Sequence, residues 1–511
     1  MKHIKLLGLF FALLTTACSQ QVKTEYRERK LSTPNPTVEA QALYRYLNDM
    51  YGKVILSGQM WAPWGIDEIE YVYETTGKYP AVRGQDFIHE TDNQNEVRLA
   101  IEWWEKGGIP TIMWHWGAPS VGEGYPNSKE EINIENCFIE GTVEYNEMWR
   151  ELKAKAVHLE ALRDANVPVL WRPMHELNGH WFWYGKQGPE LFKKLWQTMF
   201  NYYVHERGIN NLIWVFCHTA DIDPAWYPGD EYVDITGPDT YDGGNSAHSE
   251  MFENAHKLNT PYPIAYHECG VPPNPDQCLA QNAMWLWWMQ WHTGHVQHTD
   301  KNYLKYVYNH DLVITLDEVP DIMALYNWDD NCKPSALSAS IKLDNGKWRK
   351  NNMALFTDAN KATFKAKTNE KGSWKWNGYG TKGNSNEQMV EIDTTGTALA
   401  MFTNQCGATS SIAFHIGEPR EPCKPTPLSP MMKIGSADWT PINKATVKKG
   451  DSVWFGPHPV NGGSWQWTGN TSANTRELSI CATENTLLKA THTNSCGTKS
   501  SIDFEIIVVE E

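Results

Sequence analysis

What this sequence lacks narrows it first. Basic charge is short, with 45 Lys+Arg against 61 Asp+Glu over 511 residues and a formal net charge of −16. A nucleic-acid binder would show a basic patch or stripe, so no nucleic-acid partner is expected. Long apolar runs are missing too. Leu6–Leu14 (LLGLFFALL) is shorter than the roughly 20 residues a bilayer span takes, and no other stretch is long enough. No phosphate-cradling glycine loop and no dinucleotide fingerprint occurs, so no organic cofactor is implied. His175-Glu176…His180 is not the zinc-protease pattern, which needs histidines four apart; Gly179 stands in that place. His292, His295 and His298 read as a solvated helix end, and no metal is implied. Charged residues are only 21% and hydrophobic ones 41%, so the chain is not disordered and can bury a sizeable core.

The N-terminus is a targeting segment. Lys2 and Lys5 precede the apolar run, which ends in Leu14-Thr15-Thr16-Ala17-Cys18. This is similar to a bacterial lipoprotein signal, with residues 1–17 removed and Cys18 lipidated. The expectation is an exported chain, lipid-anchored at the outer membrane or cell surface and touching the membrane only through that anchor. Residues 18–38 are polar and contain proline, as a tether does. Export permits disulfides. Lipidation of Cys18 leaves nine of ten cysteines, so at least one stays unpaired.

The C-terminal third is a tandem repeat. Cys332-Lys333-Pro334 recurs as Cys423-Lys424-Pro425, and Gly372-Ser373-Trp374-Lys375-Trp376 as Gly463-Ser464-Trp465-Gln466-Trp467, both at an offset of 91. Short alternating runs separated by Gly, Asn and Asp predict two all-β sandwiches, residues 331–418 and 419–511. They resemble immunoglobulin-like modules appended to secreted polysaccharide-degrading enzymes. Cys332 with Cys406, and Cys423 with Cys496, could each staple a first strand to a penultimate one, although connectivity is not deducible from sequence. The paired tryptophans share a strand face, which is either sandwich core or a sugar platform.

Residues 39–330 read as eight strands with polar tips. The runs are Val54–Gln59, Ala81–Phe87, Ile109–Trp116, Val167–Pro173, Asn211–Cys217, Val233–Tyr241, Pro263–Gly270 and Ile322–Trp328. Helical patterns fill most gaps, at Ala40–Tyr51, Asn95–Lys106, Tyr145–Ala165, Pro189–Arg207 and Asn282–His292. Strand followed by helix, repeated, predicts an α/β fold, the (β/α)8 TIM barrel, whose working residues sit at the C-terminal strand ends. Glu176 follows the fourth strand and Glu268 ends the seventh, so two distant carboxylates meet across one mouth. Paired carboxylates are the machinery of glycoside hydrolysis. Apolar rings around Glu176 (Trp171, Trp181, Phe182, Trp183) would favour its neutral form, making it the acid/base. Tyr241 is the best donor to hold Glu268 ionised as the nucleophile. Cys269 beside it reads as structural, and a bond to Cys278 would close a short loop.

The segments GKVILSGQ (52–59), WRPMHELNGHWFWYG (171–185), GPDTY (237–241) and YHECG (266–270) resemble glycoside hydrolase family 26, mainly endo-β-1,4-mannanases. The resemblance implies a retaining double displacement with Glu176 as acid/base and Glu268 as nucleophile. It further implies that His115, His175, Trp181, Asp239, Tyr241 and Trp328 line subsites next to the cleavage point. The sequence departs from some members at Asp329-Asp330, where those carry a basic residue. The expected partner is a β-mannan, galactomannan or glucomannan, and the expected protein a monomer. A β-xylanase or mixed-linkage β-glucanase, or a non-catalytic glycan-capturing lipoprotein, is the alternative. Twenty-five tryptophans suit a surface for amphipathic rings. Trp61, Trp64, Trp114, Trp116, Trp181, Trp183 and Trp328 lie near strand tips, as platform or core. Trp285, Trp287, Trp288 and Trp291 fall in the helical stretch and read as packing.

Overall fold

The computed structural model describes residues 23–24, 29–242, 244–258, 260, 262–356, 358–417, 426–459, 463–494 and 499–509. Cys18, Cys423 and Cys496 lie outside the described residues.

Eight parallel strands close into a barrel. They are Gly58–Met60, Val82–Asp86, Ile109–Trp114, Val169–Pro173, Leu212–Thr219, Ile235–Thr240, Tyr266–Cys269 and Trp288–Gln290. Seven match the sequence expectation. The eighth does not. The expected strand Ile322–Trp328 is a short helix over Ile322–Tyr326, started by the Asp321 side chain accepting from Ala324 N–H. The ring is closed instead by Trp288–Gln290, which pairs with both the seventh and the first strand. Every residue from Ala283 to Gln290 is buried. A strand buried on both faces shows no alternation, so its apolar run imitates a buried helix.

Other helices follow the sequence. Val38–Met50 is capped by Thr37, whose hydroxyl accepts from Ala40 N–H at 3.2 Å. Val143–Asp164 is capped in the same way by Thr142. The helix expected to end at Arg207 runs as α to Phe200 and continues as a wider π turn over Asn201–Glu206. Glu68–Thr76 is a helix that the apolar pattern did not mark. Among the described residues no helix is long and apolar enough to cross a membrane.

The helix Val38–Met50 covers the barrel floor, where its apolar face packs with Val82, Ile109, Leu170, Ile213 and Ile235 at the starts of the strands. Trp328 belongs here and not at the mouth, which corrects its assignment as a subsite residue. Arg45 lies 4.6 Å over its ring and bonds its carbonyl at 2.8 Å. The neighbouring Asp330 pairs with the same guanidinium. The acidic pair after Trp328 therefore serves the floor and says nothing about distal sugars.

Two all-β units follow. In the first, a sheet of Leu337–Leu343, Lys361–Lys367 and Glu387–Glu391, edged by Lys23–Thr24, faces a sheet of Met353–Leu355, Thr409–Gly417, Gly396–Asn404 and Gly372–Asn377. Ile341, Phe364, Phe402 and Phe414 meet between them. A disulfide joins Cys332 to Cys406. The second unit repeats the plan with three strands facing four. Trp376 and Trp467 are core, each giving its indole N–H to a carbonyl, of Ser385 and Thr475. Trp465 is buried against His492, and Trp374 packs on Phe402. The paired tryptophans thus build sandwich cores. Cys269 and Cys278 remain separate buried thiols, so the short loop between them is not bridged.

The first unit is seated on the floor helix. Leu399, Met401, Ala408 and Ala413 join the floor cluster. Asp49, almost fully buried, accepts from Ser411 N–H at 3.1 Å, Lys53 Nζ at 2.6 Å and Tyr326 O–H at 2.7 Å. Removing one member of a buried ionic set strands the others. Asp49→Ala should therefore lower unfolding free energy by roughly 3–5 kcal/mol. Calorimetry should show the barrel and first unit melting less cooperatively; an unchanged single transition would contradict the joint.

Candidate active site

Parallel strands all point the same way, so their C-terminal ends gather at one mouth. The structure brings together there His115, His175, Glu176, Asp239, Tyr241 and Glu268. In the sixth and seventh strands Asp239 and Glu268 are direct register partners. Those strands approach closely because position 237 is glycine; a Cβ there would stand 2.3 Å from the Ala265 carbonyl oxygen.

Glu176 arrives differently. After Pro173 the chain turns through Met174 and Glu176, both at φ 49°, a left-handed conformation that costs a non-glycine residue about 1 kcal/mol or more. That turn projects the carboxyl inward. Trp181, 41% exposed, gives its indole N–H to Glu176 Oε2 at 2.7 Å. The ring lies back over Gly179, where a Cβ would sit 2.3 Å from it. Trp171 and Trp183 point away, onto Phe87 and Trp116, so the apolar cage expected around Glu176 is mostly absent. Its close neighbours are carboxyls instead. Glu176, Asp239 and Glu268 each place an oxygen within 4.8 Å of the others. Such a set could hold a cation; among the described residues no histidine or cysteine completes it.

Asp239 and Glu268 are buried and Glu176 half-buried, and three carboxyls this close oppose one another's charge. Asp239 is raised well above the usual carboxylate range by burial, then by Glu176, with which it hydrogen-bonds. Asp239 is thereby held toward its neutral form. Burial and then Glu176 push Glu268 up to about 7, although Arg172, Tyr241 and His115 pull it back. The Tyr241 hydroxyl donates to Glu268 Oε1, as the sequence suggested. It tempers the effect of burial without overcoming it. Nothing among the described residues bonds Glu268 Oε2.

A second layer fixes the site. Asp86, ending the second strand, accepts from both the backbone N–H and the ring Nδ1 of His115. Burial works against both charges, yet their attraction wins, lowering Asp86 and raising His115. His175 lies 4.3 Å from His115, ring to ring, and burial drives it well below its ordinary value, so it is neutral. Arg172, fully buried inside the barrel, bonds the His267 carbonyl at 2.7 Å and Thr111 at 3.0 Å.

Sequence reasoning missed Trp291. It follows the true eighth strand, and its ring lies 5.7 Å from His115 and 4.5 Å from His292. Reading its run as a helix hid it. Of the remaining tryptophans, Trp114, Trp116 and Trp183 are buried core, as are Trp285, Trp287 and Trp288. Trp61 is half-buried beneath Arg83. Trp64 and Trp181 are open.

Comparison with known proteins decides the family. The model of glycosyl hydrolase family 26 matches residues 32–318. The chain belongs to that family. It is 37% identical over 312 residues to a mannan endo-1,4-beta-mannosidase of Thermothelomyces thermophilus, covering 57% of this chain and 63% of that protein. A mannan endo-1,4-beta-mannosidase A of Piromyces sp is 33% identical, with 57% and 50% covered. The family 26 chain thus spans between half and two thirds of these relatives. Among solved structures, the beta-mannanase from a symbiotic protist of the termite Reticulitermes speratus, complexed with gluco-manno-oligosaccharide, superposes with a TM-score of 0.53 at 33% identity. It covers 58% of this chain and 99% of that one.

The raised Glu268 carboxyl sets an expectation for family 26 chemistry. A group acting as carboxylate works above its pKa, so kcat/KM should fall as pH drops through about 7. Tyr241→Phe removes a donor to the ionised form and should move that acid limb to higher pH. A limb unmoved or shifted downward in the pH profile would contradict the assignment.

Proposed function

We propose that the protein is a retaining endo-β-1,4-mannanase. The observation that carries this reading is the facing pair Glu176 and Glu268, with oxygens within 4.8 Å across the barrel mouth. Retention takes two carboxyls about 5–5.5 Å apart, whereas inversion leaves room for a water at about 6.5–9.5 Å. Glu268 is the nucleophile: Tyr241 holds one oxygen and leaves Oε2 to attack the anomeric carbon. Glu176 is the acid/base. As the acid it gives its proton to the departing glycosidic oxygen, and the resulting carboxylate then takes a proton from the water that releases the sugar. His115, His175 and Trp291 surround the ring being cleaved. Trp181 presents an open indole beside the leaving group.

The names of the relatives support mannan as the substrate. The gluco-manno-oligosaccharide held by the termite protist's enzyme supports tolerance of glucose in the chain. The sequence of the leader supports export with lipid attachment at Cys18. The repeat and its two-sheet units support a reading of the C-terminal third as immunoglobulin-like spacers.

Glu268→Ala should reduce mannan hydrolysis to background. Glu176→Ala should slow hydrolysis of mannan by roughly 10²–10⁴-fold while sparing activated aryl mannosides, whose leaving groups need little protonation. Equal losses on both substrates would remove Glu176 from the acid role. Product profiles on mannan, glucomannan, xylan and mixed-linkage glucan test the substrate; a higher kcat/KM on xylan or glucan would overturn it.

A further inference from the structure

The rings around the carboxyls continue outward past the rim. Trp291 tilts against His292, His292 meets Trp64 at 5.9 Å and 90°, and Trp64 meets His89 at 6.2 Å. Trp64 belongs to the loop after the first strand and is 43% exposed. An exposed indole alone means little. What distinguishes this one is the support beneath it.

Glu68, fully buried, is the brace. It accepts from Ala62 N–H at 3.3 Å on one side, and from Thr293 N–H at 2.8 Å and its hydroxyl at 3.2 Å on the other. The loop after the first strand is thereby tied to the loop after the eighth. Gly65, at φ +117°, lets the chain turn against Thr293. The loop that carries Trp64 and the loop that carries Trp291 and His292 thus share one buried anchor. Burial also pushes His292 down to about 4. It is a neutral imidazole near pH 7, able to donate and accept.

We propose that Trp64, flanked by His89 and His292, is a distal sugar subsite. Its indole stacks the C–H face of a pyranose in a β-1,4-linked hexose chain whose neighbouring residues fill the carboxyl pocket. The two imidazoles bond that pyranose's hydroxyls. The inference rests on the reading of this site as a glycanase, and its test separates the two.

The full-length protein and its Trp64→Ala and Trp64→Phe variants are assayed on mannohexaose and on the shortest manno-oligosaccharide the wild type cleaves. If the stack covers about 50 Å² of apolar surface, Trp64→Ala should raise KM for mannohexaose about eightfold. It should leave kcat and the short substrate unchanged, and Trp64→Phe should recover most of the loss. Equal effects at both lengths, or none at either, would overturn the subsite and leave the hydrolase standing. Affinity electrophoresis in gels containing mannan or glucomannan reads the platform without chemistry. A wild type that cleaves neither polymer but is retarded, with Trp64→Ala migrating freely, would overturn the hydrolase and keep the subsite. A wild type neither active nor retarded would overturn both.

Discussion

Three carboxyls within 4.8 Å of one another, two of them buried, are the constraint that the barrel is organised around. Left to themselves, Glu176, Asp239 and Glu268 would repel and take up protons until none was useful. Several features hold the set in balance. Arg172 supplies the one buried cation beneath them that pulls Glu268 downward most strongly. The Asp86–His115 pair adds an imidazole drawn toward its charged form on a fixed ring. Tyr241 and Trp181 each direct a donor at one oxygen. Asp239, the most strongly raised, is held toward its neutral form. Strain at Met174 and Glu176 is part of the same arrangement, because only a left-handed turn brings the fourth strand's carboxyl back over the pocket.

Much of this was legible in the sequence. Seven strands, most helices, the tandem β units and all six residues gathered at the mouth followed from period, spacing and motif. Errors gathered at the closing strand. Its residues are apolar on both faces, so NAMWLWWMQWH carries neither period two nor a strand boundary. Misplacing that strand exchanged Trp328 for Trp291. Misreading its flank also turned Asp330, the partner of Arg45, into a question about sugars. Protonation was the other limit. Composition placed aromatic rings near Glu176, but ring direction depends on side-chain geometry that no linear pattern contains. Trp171 and Trp183 turned outward, and a carboxyl took their place.

The aromatic excess also divides by location. Trp171, Trp196 and Trp214 fill the layer between barrel and helices. Trp376 and Trp467 fill the β units. Few are left open at the mouth, and those are braced. Trp181 rests over Gly179, and Trp64 stands on a loop fixed by Glu68. Rigid rings lose little freedom when a ligand stacks on them.

The joint at Asp49 has a geometric result. The segment entering the barrel is fixed to the floor by Ser32 on Asp234 and Thr37 on Asn210. The first β unit leaves from the same floor, bonded through Ser411. Entry and exit therefore share one pole, and the carboxyls open at the other. The described segments that enter and leave the barrel therefore keep clear of the mouth, which stays open on the side of the carboxyls.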